Sequence, residues 1–264
     1  MSLLSRKETH THTPHLDQEV FSGQLGKSEE LQKGKTILKV ENFSVKRGNE
    51  TVIRDLDLEV EHGEILAILG PNGSGKTSFL RGLLGILSFS GQVSWWSGLR
   101  INYLPEDLSP QKFREIPITV KEFFQLKDVS LEEVANILKS VGIYKEGILS
   151  RNPGQLSGGQ FQRLVVAWSL VDKPDVLIFD EPTTSIDVGG EETIYSLIKE
   201  FAEKRVMTVI LVTHEVDVVY GLATNVLCLR EKKVCYGPPG DALDSNTLNE
   251  LYGSSVNLHK HSKD

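Results

Sequence analysis

The chain has 264 residues, of which 39% are hydrophobic and 25% charged, and its net charge is −7. Those values fit a globular chain large enough for one domain with a subdomain and tails. They argue against a nucleic-acid-binding face as its main business, because such faces carry a basic stripe. The two cysteines, Cys228 and Cys235, give neither zinc spacing nor a disulfide framework, so a reducing compartment is expected. The most apolar runs, Glu64 to Gly70 and Asp175 to Asp180, are far too short to cross a bilayer. The N-terminus shows no apolar core for export. If the protein works at a membrane, another chain spans it.

In chain order, residues 1–35 are polar, lack periodicity and contain His10, His12 and His15, which predicts a disordered arm. The run Glu64 to Gly70 is short, apolar and bounded by glycines, as a strand buried on both faces requires. A helical pattern starts at Lys76, with Phe79, Leu80, Leu83 and Leu84 on one side. Between them Gly70-Pro-Asn-Gly-Ser-Gly-Lys-Thr77 matches G-x-x-x-x-G-K-[ST] at every position. Phosphate binding needs this layout, because glycines let backbone N–H groups converge on phosphate oxygens and the helix adds its positive dipole end. Lys76 would supply charge to the β- and γ-phosphates, and the Thr77 hydroxyl would ligate Mg²⁺. The dinucleotide fingerprint is not met.

Residues 113–150 break the strand–helix rhythm. Thr119 with Glu122, and Ser130 with Glu133, have capping-box spacing. Val134, Ile137, Leu138 and Val141 then form an apolar helical face that Gly142 would end. A small helical insertion is predicted. Ser157, Gly158 and Gly159 follow at a predicted helix start, a second anion-binding terminus.

The next buried strand, Val176 to Phe179, finishes in Asp180 and Glu181, and Pro182 stops it. An apolar strand ending in an acid places a carboxylate where Mg²⁺ sits beside a P-loop, so Asp180 would hold the ion. Glu181 would polarise the attacking water as general base. Ile194, Leu197, Ile198 and Phe201 recur at helical spacing, and Val209 to Val212 reads as a third strand closed by His214. That histidine would contact the γ-phosphate and stabilise transferring charge. Strand–helix–strand repetition predicts an α/β fold with a mainly parallel sheet covered by helices. No internal repeat appears, so one nucleotide unit is counted. Residues 251–264, with His259 and His261, are expected to be a flexible tail.

The run Leu156-Ser-Gly-Gly-Gln160, with the P-loop upstream and Val176 to Glu181 downstream, resembles the signature of the ABC transporter ATP-binding family. The resemblance covers residues 36–250. It implies a P-loop NTPase (RecA-like) core, an N-terminal antiparallel β region and a helical subdomain inserted at 113–165. The implied activity is ATP hydrolysis with Mg²⁺. The nucleotide-binding set would be Gly70, Pro71, Asn72, Gly73, Ser74, Gly75, Lys76, Thr77 and Ser78. Two chains would pair head to tail as a homodimer, each ATP lying between one P-loop and Ser157, Gly158, Gly159 and Gln160 of the other. Asp187 matches the loop that communicates between the two sites.

Two positions depart from the family pattern. Arg47 stands where an aromatic residue usually stacks on adenine, and a guanidinium can stack on a base; nearby Phe43 is assigned to the core. Tyr103-Leu-Pro-Glu106 resembles a motif that normally ends in a glutamine contacting Mg²⁺ and the transmembrane partner. Two readings of Glu106 stand: a carboxylate ligand to Mg²⁺, or a hinge residue with water-mediated contacts.

Within the family, Ile116 to Phe123, Val226 to Arg230, Tyr236 to Pro239 and Leu248 to Gly253 are most similar to ATP-binding subunits of zinc and manganese importers. That likeness implies a polytopic membrane permease, an extracytoplasmic solute-binding protein and a place on the cytoplasmic membrane face. The His-bearing tails read either as metal-binding or as simply solvated. Two alternatives remain: an ABC ATPase for another cargo, and a soluble ABC ATPase acting on DNA or ribosomes. Against the second stand the single nucleotide unit, the acidic balance and the absence of long heptads.

Overall fold

A computed structural model describes residues 31–48, 50–181, 191–230 and 233–252. Among the described residues there are two sheets and a helical insertion. Strands β1 (Thr36–Arg47) and β2 (Glu50–Glu61) form an antiparallel hairpin, and β4 (Ser90–Trp95) adds to its β1 edge. Alternate residues of this sheet, among them Leu38, Val40, Leu56 and Leu58, turn inward. The second sheet has the order β5-β6-β7-β3-β8-β9 among the described residues, built from β3 (Ile65–Leu69), β5 (Ile101–Leu104), β6 (Val176–Asp180), β7 (Thr208–Val212), β8 (Asn225–Arg230) and β9 (Lys233–Gly237). Its pairings are parallel except β8 with β9. Every residue of β3, β6 and β7 is buried, as expected of central strands covered on both faces.

Helix α1 (Lys76–Leu83) lies between the sheets. Phe79 and Phe43 meet edge to face at 5.3 Å, and the Trp95 indole donates to the Leu83 carbonyl at 2.9 Å. Gly82 permits this contact, since a Cβ there would lie 2.5 Å from the Phe43 ring.

The insertion holds α2 (Pro110–Arg114), α3 (Val120–Gln125) and α4 (Leu131–Ser140), and leads into α5 (Gly158–Leu170). Both expected capping boxes close: Thr119 and Glu122 satisfy each other's amides, as do Ser130 and Glu133. Gly142 takes φ +75° just beyond α4, where the chain must turn left-handed. A half-buried pin ties the insertion to the core. Lys127 bonds Asp172 at 2.8 Å and lies 4.1 Å over the Trp168 ring, while Trp168 donates to the Phe123 carbonyl.

Helices α6 (Glu191–Arg205), α7 (Val216–Leu222), α8 (Pro239–Ala242) and α9 (Ser245–Tyr252) complete the fold. One expectation is corrected. Cys228 and Cys235 are direct partners in the β8–β9 register, with Cα atoms 4.8 Å apart, and a disulfide joins them. Their spacing along the chain carries no trace of this, because the antiparallel return of β9 makes them neighbours.

Candidate nucleotide-binding site

Three adjacent strands end at one edge of the parallel sheet. In the order β6-β7-β3 they lead into Asp180 and Glu181, into Thr213 and His214, and into Gly70. Crevices outside the carboxyl ends of such strands are where open α/β sheets bind ligands. The loop from Gly70 enters α1 through Gly73 at φ +85° and Gly75 at φ +98°, conformations open to glycine at little cost. Gly70 is required by space instead. A Cβ there would collide with the Leu229 carbonyl and stand 2.6 Å from Ser74 Oγ.

The loop bounds a cavity of about 320 Å³. Asn72, Gly73, Gly75, Lys76, Thr77 and Ser78 line it, together with Arg47, Val52, Glu106 and Glu181. Lys76 is buried and donates to the Gly70 carbonyl at 2.9 Å and the Pro71 carbonyl at 3.2 Å. Burial draws its pKa down, and the carboxylates of Glu181, Asp180 and Glu106 offset part of that. Thr77 donates to Asp180 Oδ1 at 3.2 Å. Asp180 is buried, which holds its carboxyl above the ordinary range; the Glu106 charge adds to the rise, and hydrogen bonds from Thr77 and Tyr103 oppose it.

Glu181 has φ +49°, in the left-handed region where a non-glycine residue is strained. That turn places its carboxylate between two basic groups, 3.9 Å from Lys76 Nζ and 3.8 Å from His214 Nδ1. His214 lies two residues beyond the end of β7, with its side chain exposed, rather than closing the strand.

The structure thus brings the Gly70–Ser78 run, Asp180, Glu181 and His214 to one edge, with Arg47 and Glu106 in the cavity wall. It does not bring the signature there. Ser157 caps α5, its hydroxyl accepting from the Gln160 amide and the Gln160 side chain accepting from the Ser157 amide, both at 3.3 Å. None of Ser157, Gly158, Gly159 or Gln160 lines the cavity. Asp187 and Pro182 lie outside the described residues.

Two site residues escaped sequence reasoning. Tyr103 donates to Asp180 Oδ2 at 3.4 Å, and Val52 lines the cavity beside Gly75. Tyr103 lies in the run that ends at Glu106, which was its only signal. Val52 had none.

Residues 53–184 match the ABC transporter family. The zinc import ATP-binding protein ZnuC of Jannaschia sp. (strain CCS1) is 38% identical over 221 residues, covering 83% of this chain and 89% of that protein. The ZnuC protein of Cereibacter sphaeroides is 36% identical, with 86% and 94% covered. Among solved structures, CbiO1 from Clostridium perfringens, part of the ABC transporter complex cbiONQ, superposes with a TM-score of 0.68 at 28% identity, covering 82% of this chain and 94% of that one.

Proposed function

The chain belongs to the ABC transporter ATP-binding family and is an ATPase, and from that premise we propose that it energises uptake of zinc, or of manganese, through a separate membrane permease. No helix among the described residues is long and apolar enough to cross a membrane. Attachment to the cytoplasmic face would therefore run through the permease, with an extracytoplasmic solute-binding protein delivering the metal. The cargo rests on the relatives named for zinc import. The ATP chemistry rests on the cavity itself, where one buried cation, Lys76, meets the phosphate loop.

In this reading Lys76 exchanges the two loop carbonyls for the β- and γ-phosphates, and the loop amides from Asn72 to Ser78 hold the remaining oxygens. Thr77 and Asp180 suit Mg²⁺: a hydroxyl and a carboxylate oxygen 3.2 Å apart are a hard-oxygen donor pair. Mg²⁺ would neutralise charge on the phosphates. Glu106 lines the same cavity and its charge is felt by both Lys76 and Asp180, which favours a place beside the ion over a remote hinge role. Glu181 takes the proton of the attacking water, and His214 orients Glu181 and faces the transferring phosphoryl group. Arg47 offers its guanidinium plane to the base.

The signature completes the site from outside. The Ser157-capped start of α5 offers free amides to an anion yet lies away from its own cavity. A second copy, paired head to tail, would carry it onto the nucleotide.

Cargo is tested in cells lacking the protein and grown on scarce metal. Zinc or manganese accumulation should fall and should not return with a Glu181→Gln copy. Unchanged metal content beside a defect in another solute would refute the cargo. Failure to co-purify with a polytopic membrane subunit would refute the transporter reading.

A further inference from the structure

The chemistry above leaves the buried Tyr252 hydroxyl without a task. Tyr252 ends α9, whose Leu248 and Leu251 pack against Ala67 and Leu69 of β3 and Val226 of β8. That docking carries the phenol to the base of the phosphate loop, against the Gly70 backbone and within electrostatic range of Glu181. The hydroxyl is enclosed, and its approach to the Gly70 backbone stops short of a full hydrogen bond. Burial pushes its pKa up to about 12, so it keeps its proton at physiological pH. Ser74 Oγ, inside the loop, is likewise enclosed and unpartnered, and it abuts Gly70.

Two unsatisfied hydroxyls beside one residue are costly, and native structures rarely keep such groups without reason. Lys76 supplies the reason. Its ammonium occupies the Gly70 and Pro71 carbonyls. When it turns to phosphate, the Gly70 carbonyl loses that donor at a buried position.

We propose that Tyr252 and Ser74 are positioning residues whose hydroxyls take over the first peptide of the phosphate loop as Lys76 leaves it for the nucleotide. The inference rests on the reading of Lys76 as a phosphate ligand. The exchange keeps the loop's shape through binding, so the ammonium is released at lower cost. Residue 252 lies 176 positions from Lys76 in sequence, yet α9 delivers it to the same loop.

The test uses full-length Tyr252→Phe and Ser74→Ala. Affinity for a fluorescent ATP, kcat, KM, and Tm without nucleotide are measured for each. Loss of one hydroxyl should weaken ATP binding and raise KM by about 2- to 10-fold, and in Tyr252→Phe kcat should hold within about 2-fold. The nucleotide-free Tm should stay level or rise, because an unpartnered buried hydroxyl has been removed. Wild-type affinity in Tyr252→Phe overturns the proposal. So does an affinity loss that tracks a lower Tm, which would mark the hydroxyl as merely structural. Lys76→Ala separates the two layers. If it binds ATP like wild type, the Lys76 reading itself fails. If it loses ATP while Tyr252→Phe does not, only the hydroxyl exchange fails.

Discussion

Replacing Glu181 with glutamine should leave ATP binding intact or improve it while stopping turnover, and the geometry sets both directions. Glu181 Oε1 lies 3.9 Å from Lys76 Nζ. At an effective dielectric near 20, that separation corresponds to a gross attraction of about 4 kcal/mol, much of it offset by desolvation. The carboxylate therefore competes with incoming phosphate for the buried Lys76 ammonium, and its negative charge also opposes the anionic ligand. Glutamine keeps the size and removes both effects. Affinity for Mg-ATP is expected to be equal or up to about tenfold tighter, the equivalent of about 1.4 kcal/mol. Loss of the base should cost about 10²- to 10⁴-fold in kcat. Equilibrium binding of a fluorescent ATP beside steady-state phosphate release measures the two separately. Turnover near wild type would remove Glu181 from the role of base. Lost binding with intact folding would show that the carboxylate holds the loop rather than competing with the ligand.

Two further outcomes are expected. Mixing Lys76→Ala protein with Ser157→Arg protein should restore one complete site per heterodimer, although each alone is inactive; demonstrated heterodimers without ATPase activity would count against head-to-tail pairing. Glu64 supplies a pH test: it accepts from the Glu61 amide at 2.9 Å and from Asn225 at 2.8 Å, yet burial raises its pKa. A raised folded pKa contributes stability below the ordinary carboxylate range and loses it as pH rises through the folded value. The Tm of Glu64→Gln relative to wild type should therefore climb from about pH 4 to about pH 7, and a flat difference by calorimetry would refute that ionisation costs stability there.

The parts of this protein that were legible in its residues are those whose physics is local. The P-loop is eight consecutive residues whose glycines set the turn into α1, so its chemistry can be read without knowing what surrounds it. The caps Thr119–Glu122 and Ser130–Glu133 close within one turn of helix, and the strands β3, β6 and β7 announce themselves as short, wholly apolar runs. Asp180 and Glu181 were legible as the end of such a run. Their partners were not. Thr77 reaches Asp180 across 103 positions, and Tyr103 reaches it across 77, because the strand order puts β5, β6, β7 and β3 side by side. The disulfide between Cys228 and Cys235 depends in the same way on the register of β9 against β8. Tyr252 reaches Gly70 only because α9 packs its leucines on β3 and β8. The signature shows the division most clearly. Its residues and helix start were plain in the sequence, but only the folded chain places α5 away from the cavity, since a contact between distant segments is decided by how whole elements pack and not by any run of neighbours.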